Sequence, residues 1–333
     1  MVSWLGAVQA QDYPAAQWAL GLRTHGATAA TVEGALTAGT ILRTHVMRPT
    51  WHFVAPADIR WLLALTAPRV KALLAYYDRK LAVDGAVLAH SATVLTHALQ
   101  GGRQLTRTEL GARLEQAGIA TGDTQRLGHL LMHAELDGLL CSGARHGKQF
   151  TYALLEERVP PAPRLTREEA LAALTRRYFS GHGPATAKDF QWWSGLTAAD
   201  VKTGLALVQA QLVQWVVNGQ TYWLAEPLPC VSDPAPTIWL LANYDEYGVG
   251  YSDRSAIVAP AHMAQGNPAR PIYFGNMIVL DGQVVGAWKH LVSKGTVVIT
   301  ADTFTPFSAA EHAAFVAAAE RYGAFLGLPV RWA

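Results

Sequence analysis

The sequence predicts an α+β protein in which a unit of two helices and a β-hairpin occurs three times in tandem, ahead of a small antiparallel sheet or barrel closed by a C-terminal helix. Three observations carry this. Helix-start chemistry recurs before paired apolar helical stretches, as in Thr106-Arg-Thr-Glu109, where a Thr hydroxyl and a Glu three residues on satisfy orphan backbone N–H groups. Short β-branched and aromatic runs follow each helix pair, the clearest joined through Asn218-Gly219, a pair suited to a two-residue hairpin turn. After Glu226-Pro-Leu-Pro-Cys230 the texture changes to strands, with Asp281-Gly282 as a further hairpin turn.

Taken in order, residues 13–22 and 27–36 read as the first helix pair. Residues 41–54 supply the hairpin around Arg48-Pro49, and residues 55–81 a long helix with Pro56 in its first turn. The second unit has helices over 106–117 and 124–139, and a hairpin of 140–142 with 149–154. Val159-Pro-Pro-Ala-Pro163 favours an extended stiff linker. Beyond it, helices are expected over 167–179, 187–193 and 197–211, and strands over 212–217 and 220–224. The strands of the last part fall at 237–241, 272–280, 283–289 and 296–300, and its helix at 309–325, opened by Ser308 with Glu311. Helix, helix, hairpin is the order of a winged helix-turn-helix. The expected division is 1–85, 86–160 and 161–228 as three such units, and 229–333 as the β domain.

The 333 residues are half hydrophobic, enough for sizeable cores. No run is long and apolar enough for a membrane span, and the first basic residue is Arg23, which argues against a secretory signal. Two cysteines, Cys141 and Cys230, suit a reducing compartment, so the expected location is cytoplasmic. Net charge is +2 and unevenly spread: residues 1–158 hold 15 Lys/Arg against 12 Asp/Glu, while residues 227–333 hold 6 against 8. A mildly basic front leaves room for a DNA-facing surface there, since phosphates are met by Arg and Lys.

The stretch richest in chemical implication is Gly6 to Pro14, where Gln9 and Gln11 flank one small apolar residue. Alternate side chains share a face only in an extended backbone, so the two amides belong on an extended entry into the helix opened by Asp12. With Trp18-Ala-Leu-Gly-Leu-Arg23, Met47-Arg-Pro-Thr-Trp-His-Phe-Val54, Tyr244-Asp-Glu-Tyr247, Gly250-Tyr-Ser-Asp-Arg-Ser255 and Asp281-Gly-Gln-Val-Val-Gly-Ala-Trp288, in that order, the chain resembles the winged-helix DNA glycosylase family of AlkZ and YcaQ over nearly its whole length. The family signature is Gln, an apolar residue, then Gln or Asp. The resemblance therefore implies catalytic roles for Gln9 and Gln11, in the Gln-x-Gln branch. It also implies a monofunctional, metal-independent and cofactor-free glycosylase acting as a monomer on double-stranded DNA with alkylated purines, including bulky adducts and interstrand crosslinks. An N7- or N3-alkylated purine is cationic and leaves neutral, so a positioned water suffices. An amide oxygen would accept the water's proton while the NH₂ is held elsewhere. Family members carry about one helix ahead of the motif, whereas five residues precede Gly6 here. The expectation is that the chain starts earlier or that the first unit lacks a packing element.

Candidate DNA contacts are Arg48, Thr50 and His52 on the first wing, Arg145, His146 and Lys148 at the second wing tip, and His182. His52 reads equally as a buried structural histidine, and the wing tip equally as a solvated turn. Asp12, Asp245, Tyr247 and Arg254 are further cleft candidates, with capping the favoured role of Asp12. His129 and His133 have a metal-compatible spacing but lack a third ligand in the sequence, and read as helix surface or DNA contacts. The reading from another class is a non-catalytic DNA-binding regulator, because winged helices more often bind than cut.

Overall fold

The computed structural model describes residues 1–226, 235–263 and 272–332, so Cys230 and the expected boundary at 228/229 lie outside the described residues. Asp12 caps the helix Tyr13–Arg23, with Pro14 in its first turn. A capping box at Thr28 opens Ala29–Ala38, which Gly39 ends in the left-handed region. Strands Leu42–Val46 and Arg48–Val54 pair antiparallel, and Val8–Gln9 adds to the free edge of the second, giving a three-stranded sheet with Arg48–Val54 in the middle. The helix Pro56–Lys80 follows.

The next segment has helices Arg107–Gln116 and Thr124–Leu136 and the pair Leu140–Ser142 with Thr151–Leu154. It also has a helix the sequence reading leaves out, Gly85–Leu99, capped by Asp84. Helices Arg167–Gly181, Ala187–Ser194 and Ala198–Val208 then precede the two-stranded hairpin Val213–Val217 with Gln220–Leu224. The last part is an open five-stranded sheet rather than a barrel. In spatial order its strands are Val330–Trp332, Thr296–Thr303, Gln283–Ser293, Met277–Leu280 and Ile238–Leu241. The first of these pairs in parallel with Thr296–Thr303, and the other neighbours are antiparallel. The helix Ala309–Leu326 packs on Ile238–Leu241. Residues 272–274 form a 3₁₀ turn instead of the start of a strand.

Burial does not follow the order of the chain. Trp18 and Leu20 of the first helix share a core with Ile238, Leu240, Trp288, Phe315 and Phe325 of the last part. Leu42, Val46, Ile59 and Leu62, from the hairpin and long helix that follow, instead pack with Leu171, Leu174, Tyr178, Phe190 and Trp193. Each such aliphatic side chain contributes about 1.5–3 kcal/mol on burial. The stretch before the first helix runs along the seam between these cores: Ala7 enters the second, and Val8 and Ala10 enter the first. One turn of helix, Val2–Leu5, precedes it, with Val2 and Leu5 buried and packed on the side of Arg167–Gly181.

Candidate active site

Gln9 ends the short strand Val8–Gln9 on this seam, and the chain bends at Gln11, two residues on. Gln9 pairs with His52, and the Ala10 N–H donates to the Trp51 carbonyl at 2.8 Å. Ala10 is fully buried, whereas Gln11, one residue on, is exposed and Gln9 lies at the edge of burial. Gln9 therefore alternates with Val8 and Ala10, which enter the core, while the bend at Gln11 cuts short the extended run expected through both glutamines.

The amides are oriented by the backbone. The Gln11 N–H donates to Gln9 Oε1 at 2.7 Å, and the Trp51 N–H donates to Gln11 Oε1 at 3.3 Å. An N–H can face only the oxygen of an amide, so neither side chain can be turned over without losing its bond. This reverses the expected arrangement, in which the NH₂ is held and the oxygen is free. Each oxygen retains a second lone pair, so a water can still be accepted beside the N–H already bound.

Glu246 lies directly behind the motif. Its Oε1 accepts the Gln9 N–H at 2.7 Å, and its Oε2 accepts Trp193 Nε1–H at 2.8 Å and faces His182 Nε2 at 3.3 Å. Burial alone would raise this carboxyl, but His182, the Gln9 N–H and the Arg48 charge outweigh it and hold its pKa down at about 2. The Ala10 carbonyl accepts Arg43 Nε–H at 3.0 Å. The Arg43 guanidinium lies 4.3 Å from the ring centroids of both Trp51 and Phe150, where burial lowers its pKa to about 10. The motif is therefore clamped on both sides, by an anion through residue 9 and by a cation through residue 10.

Asp12 does cap: its Oδ1 accepts the Ala15 N–H at 3.3 Å, and its Oδ2 accepts Asn243 Nδ2–H at 3.1 Å. It also lines a cavity of about 210 Å³ together with Trp18, Asn243, His290 and Tyr322. Gln9 and Gln11 are outside that cavity's lining.

The remaining candidates divide sharply. His52 is fully buried, its Nδ1 2.9 Å from the Thr50 carbonyl, and burial together with the Arg48 charge depresses its pKa to about 3. It is a neutral structural histidine and does not present to DNA. Arg48 is half-buried, 3.4 Å from His52 Nε2, and Thr50 is half-buried beside it. His182 is also interior, stacked on Tyr178 with ring centroids 4.8 Å apart. At the second wing tip, Arg145 is tied to Glu33 at 3.1 Å and to the Lys148 carbonyl at 3.0 Å, and covers the Tyr13 and Phe150 rings. Its charge is spent on the first unit. His146 and Lys148 are exposed there.

Three of the four further cleft candidates are structural. Asp245 is buried in a bidentate pair with Arg23, at 2.6 and 2.8 Å, and caps a helical turn through the Tyr247 N–H. Tyr247 donates its hydroxyl proton to the Gly282 carbonyl. Arg254 is buried against Tyr273 and gives its Nε–H and an Nη–H to the Gly248 and Ser252 carbonyls, rather than pairing with Asp253. His129 and His133 are buried on Asp78, not displayed on the helix surface. Cys141 is a buried free thiol, pushed by burial up to about 12, which makes it unreactive.

Sequence reasoning missed Glu246, Arg43 and Trp193 as parts of the site. Glu246 stood out only as one of several acids, and 237 positions separate it from Gln9. Arg43 offered only the signal of a cation inside an expected strand, and it is buried with the rest of that strand.

Comparison with known proteins identifies the family and the fold. Residues 2–325 match the family model described as DNA glycosylase AlkZ-like. The interstrand DNA cross-link repair glycosylase of Streptomyces sahachiroi is 27% identical over 310 residues, covering 87% of this chain and 81% of that protein. The solved structure of the Streptomyces sahachiroi DNA glycosylase AlkZ superposes with a TM-score of 0.79 at 24% identity, over 100% of this chain and 92% of the other, which establishes a common fold. The chain belongs to the AlkZ-like DNA glycosylase family.

Proposed function

We propose that this glycosylase hydrolyses the N-glycosidic bond of cationic N7- and N3-alkylated purines in duplex DNA, bulky adducts and interstrand crosslinks included, and that Gln9 and Gln11 are its catalytic residues. The observation that carries the proposal is the pair of amides at the end of an edge strand, their oxygens fixed by backbone N–H groups and Gln11 open to solvent. A cationic purine leaves without a general acid, so the protein's task is to hold one water and to favour positive charge on the sugar. Rigid amide oxygens serve the first need, because a water that is already oriented loses little entropy at the transition state. The buried Glu246 carboxylate and the half-buried Asp12 serve the second by placing negative charge around the motif. No step needs a Schiff base, so hydrolysis without strand cleavage is the expected outcome.

The exposure of Gln11 also bears on substrate size. A crosslinked base cannot swing fully out of the helix into a closed pocket, whereas an open site can be approached by a base that remains tethered. The name of the Streptomyces sahachiroi relative, a cross-link repair glycosylase, supports including that substrate class. The exposed Lys148 and His146, with the half-buried Arg48 and Thr50 beside the motif, are the proposed DNA contacts that remain. We assign the two helix–helix–hairpin segments before residue 160, and the third up to about residue 228, as winged-helix units of a monomeric cytoplasmic enzyme.

Base release from a duplex bearing one N7-methylguanine, read by alkaline strand scission, tests the proposal. Wild type should release the base, and a Gln9→Ala, Gln11→Ala double variant should bind the duplex but not cleave. Cleavage by the double variant at the wild-type rate would remove both glutamines from the mechanism. Release from a crosslinked duplex but not from the methylated one would narrow the substrate to bulky lesions.

A further inference from the structure

We propose that Asp78, His129 and His133 form a zinc-type metal site that ties the long helix Pro56–Lys80 to the helix Thr124–Leu136, apart from the glutamine site. The two histidines are four residues apart, so their rings leave the same face of one helix. The third ligand that the sequence does not reveal comes from the last turns of the other helix, 51 positions away from His129. His129 Nε2 lies 2.7 Å and His133 Nε2 2.8 Å from the same oxygen, Asp78 Oδ1. The three candidate ligand atoms all lie within 4.8 Å of one another, the only such grouping of His, Cys, Asp and Glu among the described residues.

Ligand chemistry and access both suit a divalent ion. Two imidazole nitrogens and one carboxylate oxygen form a mixed donor set of the kind zinc accepts, with a fourth position left for water. Both rings are buried, and the Asp78 side chain is partly open, which gives a way in from solvent. Without metal the same atoms are held by hydrogen bonds, in which each Nε2–H donates to Asp78. Binding moves each ring's single proton from Nε2 to Nδ1 with no net release, and the freed Nε2 lone pairs and Asp78 Oδ1 settle roughly 3.3 Å apart around a tetrahedral centre. The ion would fix the angle between helices of the first and second segments, and so the placement of the second wing relative to the glutamines.

Chelator-stripped full-length protein titrated with Co²⁺, followed by Zn²⁺ displacement, tests this. One equivalent of Co²⁺ should give visible d–d absorption of a low-symmetry N/O site, abolished by one equivalent of Zn²⁺, with Zn²⁺ raising the melting temperature. His129→Gln and His133→Gln should each lose the spectrum. Asp78→Asn keeps an oxygen to accept both imidazole N–H groups, so it should fold yet bind Zn²⁺ at least about tenfold more weakly. The Gln9→Ala, Gln11→Ala double variant should bind as wild type does. A folded wild type with no stoichiometric Co²⁺ or Zn²⁺ binding would overturn the proposal, as would binding that survives unchanged in Asp78→Asn and both histidine variants.

Discussion

Replacing Glu246 by Gln is the most informative perturbation, because it changes one charge and almost no volume beneath the glutamine motif. In the native site Oε1 accepts from the Gln9 N–H, while Oε2 accepts from Trp193 and faces His182. A glutamine has a single oxygen, so either residue 9 or the Trp193–His182 side must face an NH₂ group. A buried donor left unsatisfied costs about 1–3 kcal/mol, and the surviving bonds lose their charge assistance. The carboxyl pKa gives a separate figure: a drop from 4.5 to about 2 corresponds to about 3 kcal/mol of stabilisation. Because the folded pKa is depressed, that stabilisation is complete above about pH 4.5 and is lost as pH falls towards 2. Glu246→Gln should therefore lower stability by about 3 kcal/mol at pH 7, or roughly 4 °C in melting temperature for a chain of this size. The gap from wild type should narrow as pH falls from 4.5 towards 2. The rate of base release should drop with little change in duplex affinity, since the Gln9 backbone is anchored by this carboxylate and Gln9 Oε1 is held in turn by Gln11. Urea denaturation across pH and single-turnover release measure these effects. A variant within about 0.5 kcal/mol of wild type at pH 7, or a gap that does not change with pH, would refute the reasoning.

Other outcomes follow from the same structure. His52, with its folded pKa lowered from 6.5 to about 3, stays neutral where the unfolded chain takes up a proton, so stability should fall as pH drops from 6.5 towards 3. This loss, up to about 5 kcal/mol, should shrink in a His52→Gln variant in the same denaturation series. Arg145→Ala should cost about 1 kcal/mol of stability through its pair with Glu33 and its cover of Tyr13, with little effect on the salt dependence of DNA binding. Lys148→Ala should do the opposite, leaving the melting temperature unchanged and reducing the salt slope of binding by about 1, as fluorescence anisotropy would show. Gln9→Ala alone should lose the acceptor of the Gln11 N–H and with it most base release, while destabilising the fold by only about 1 kcal/mol.

Local chemistry carried much of this protein in its sequence. Capping residues and turn pairs have partners within three or four positions, so Thr106 with Glu109, Ser308 with Glu311 and Asn218-Gly219 marked elements that the structure contains. The extended conformation at Gln9 was legible for the same reason, whereas the bend at Gln11 was not. The helix Gly85–Leu99 was missed although Asp84 caps it, since its buried side is only Ser91, Leu95 and Leu99 and reads weakly as a stripe. A polar side chain on a strand, helix end or turn says nothing about what packs over it, and so the sequence left His52 open between surface contact and buried histidine and gave no sign that His182 is interior or that Arg145 is tied to Glu33. What the sequence by itself determined is most of the elements and the pair of amides. Only the tertiary structure decided that the first helix shares a core with the last sheet, and that Glu246, 237 positions away, meets the Gln9 backbone. The physical reason is that a cap or turn is settled by neighbours along the chain. A buried carboxylate is settled by whichever donors the fold brings to it, and those lie at separations that no local pattern encodes.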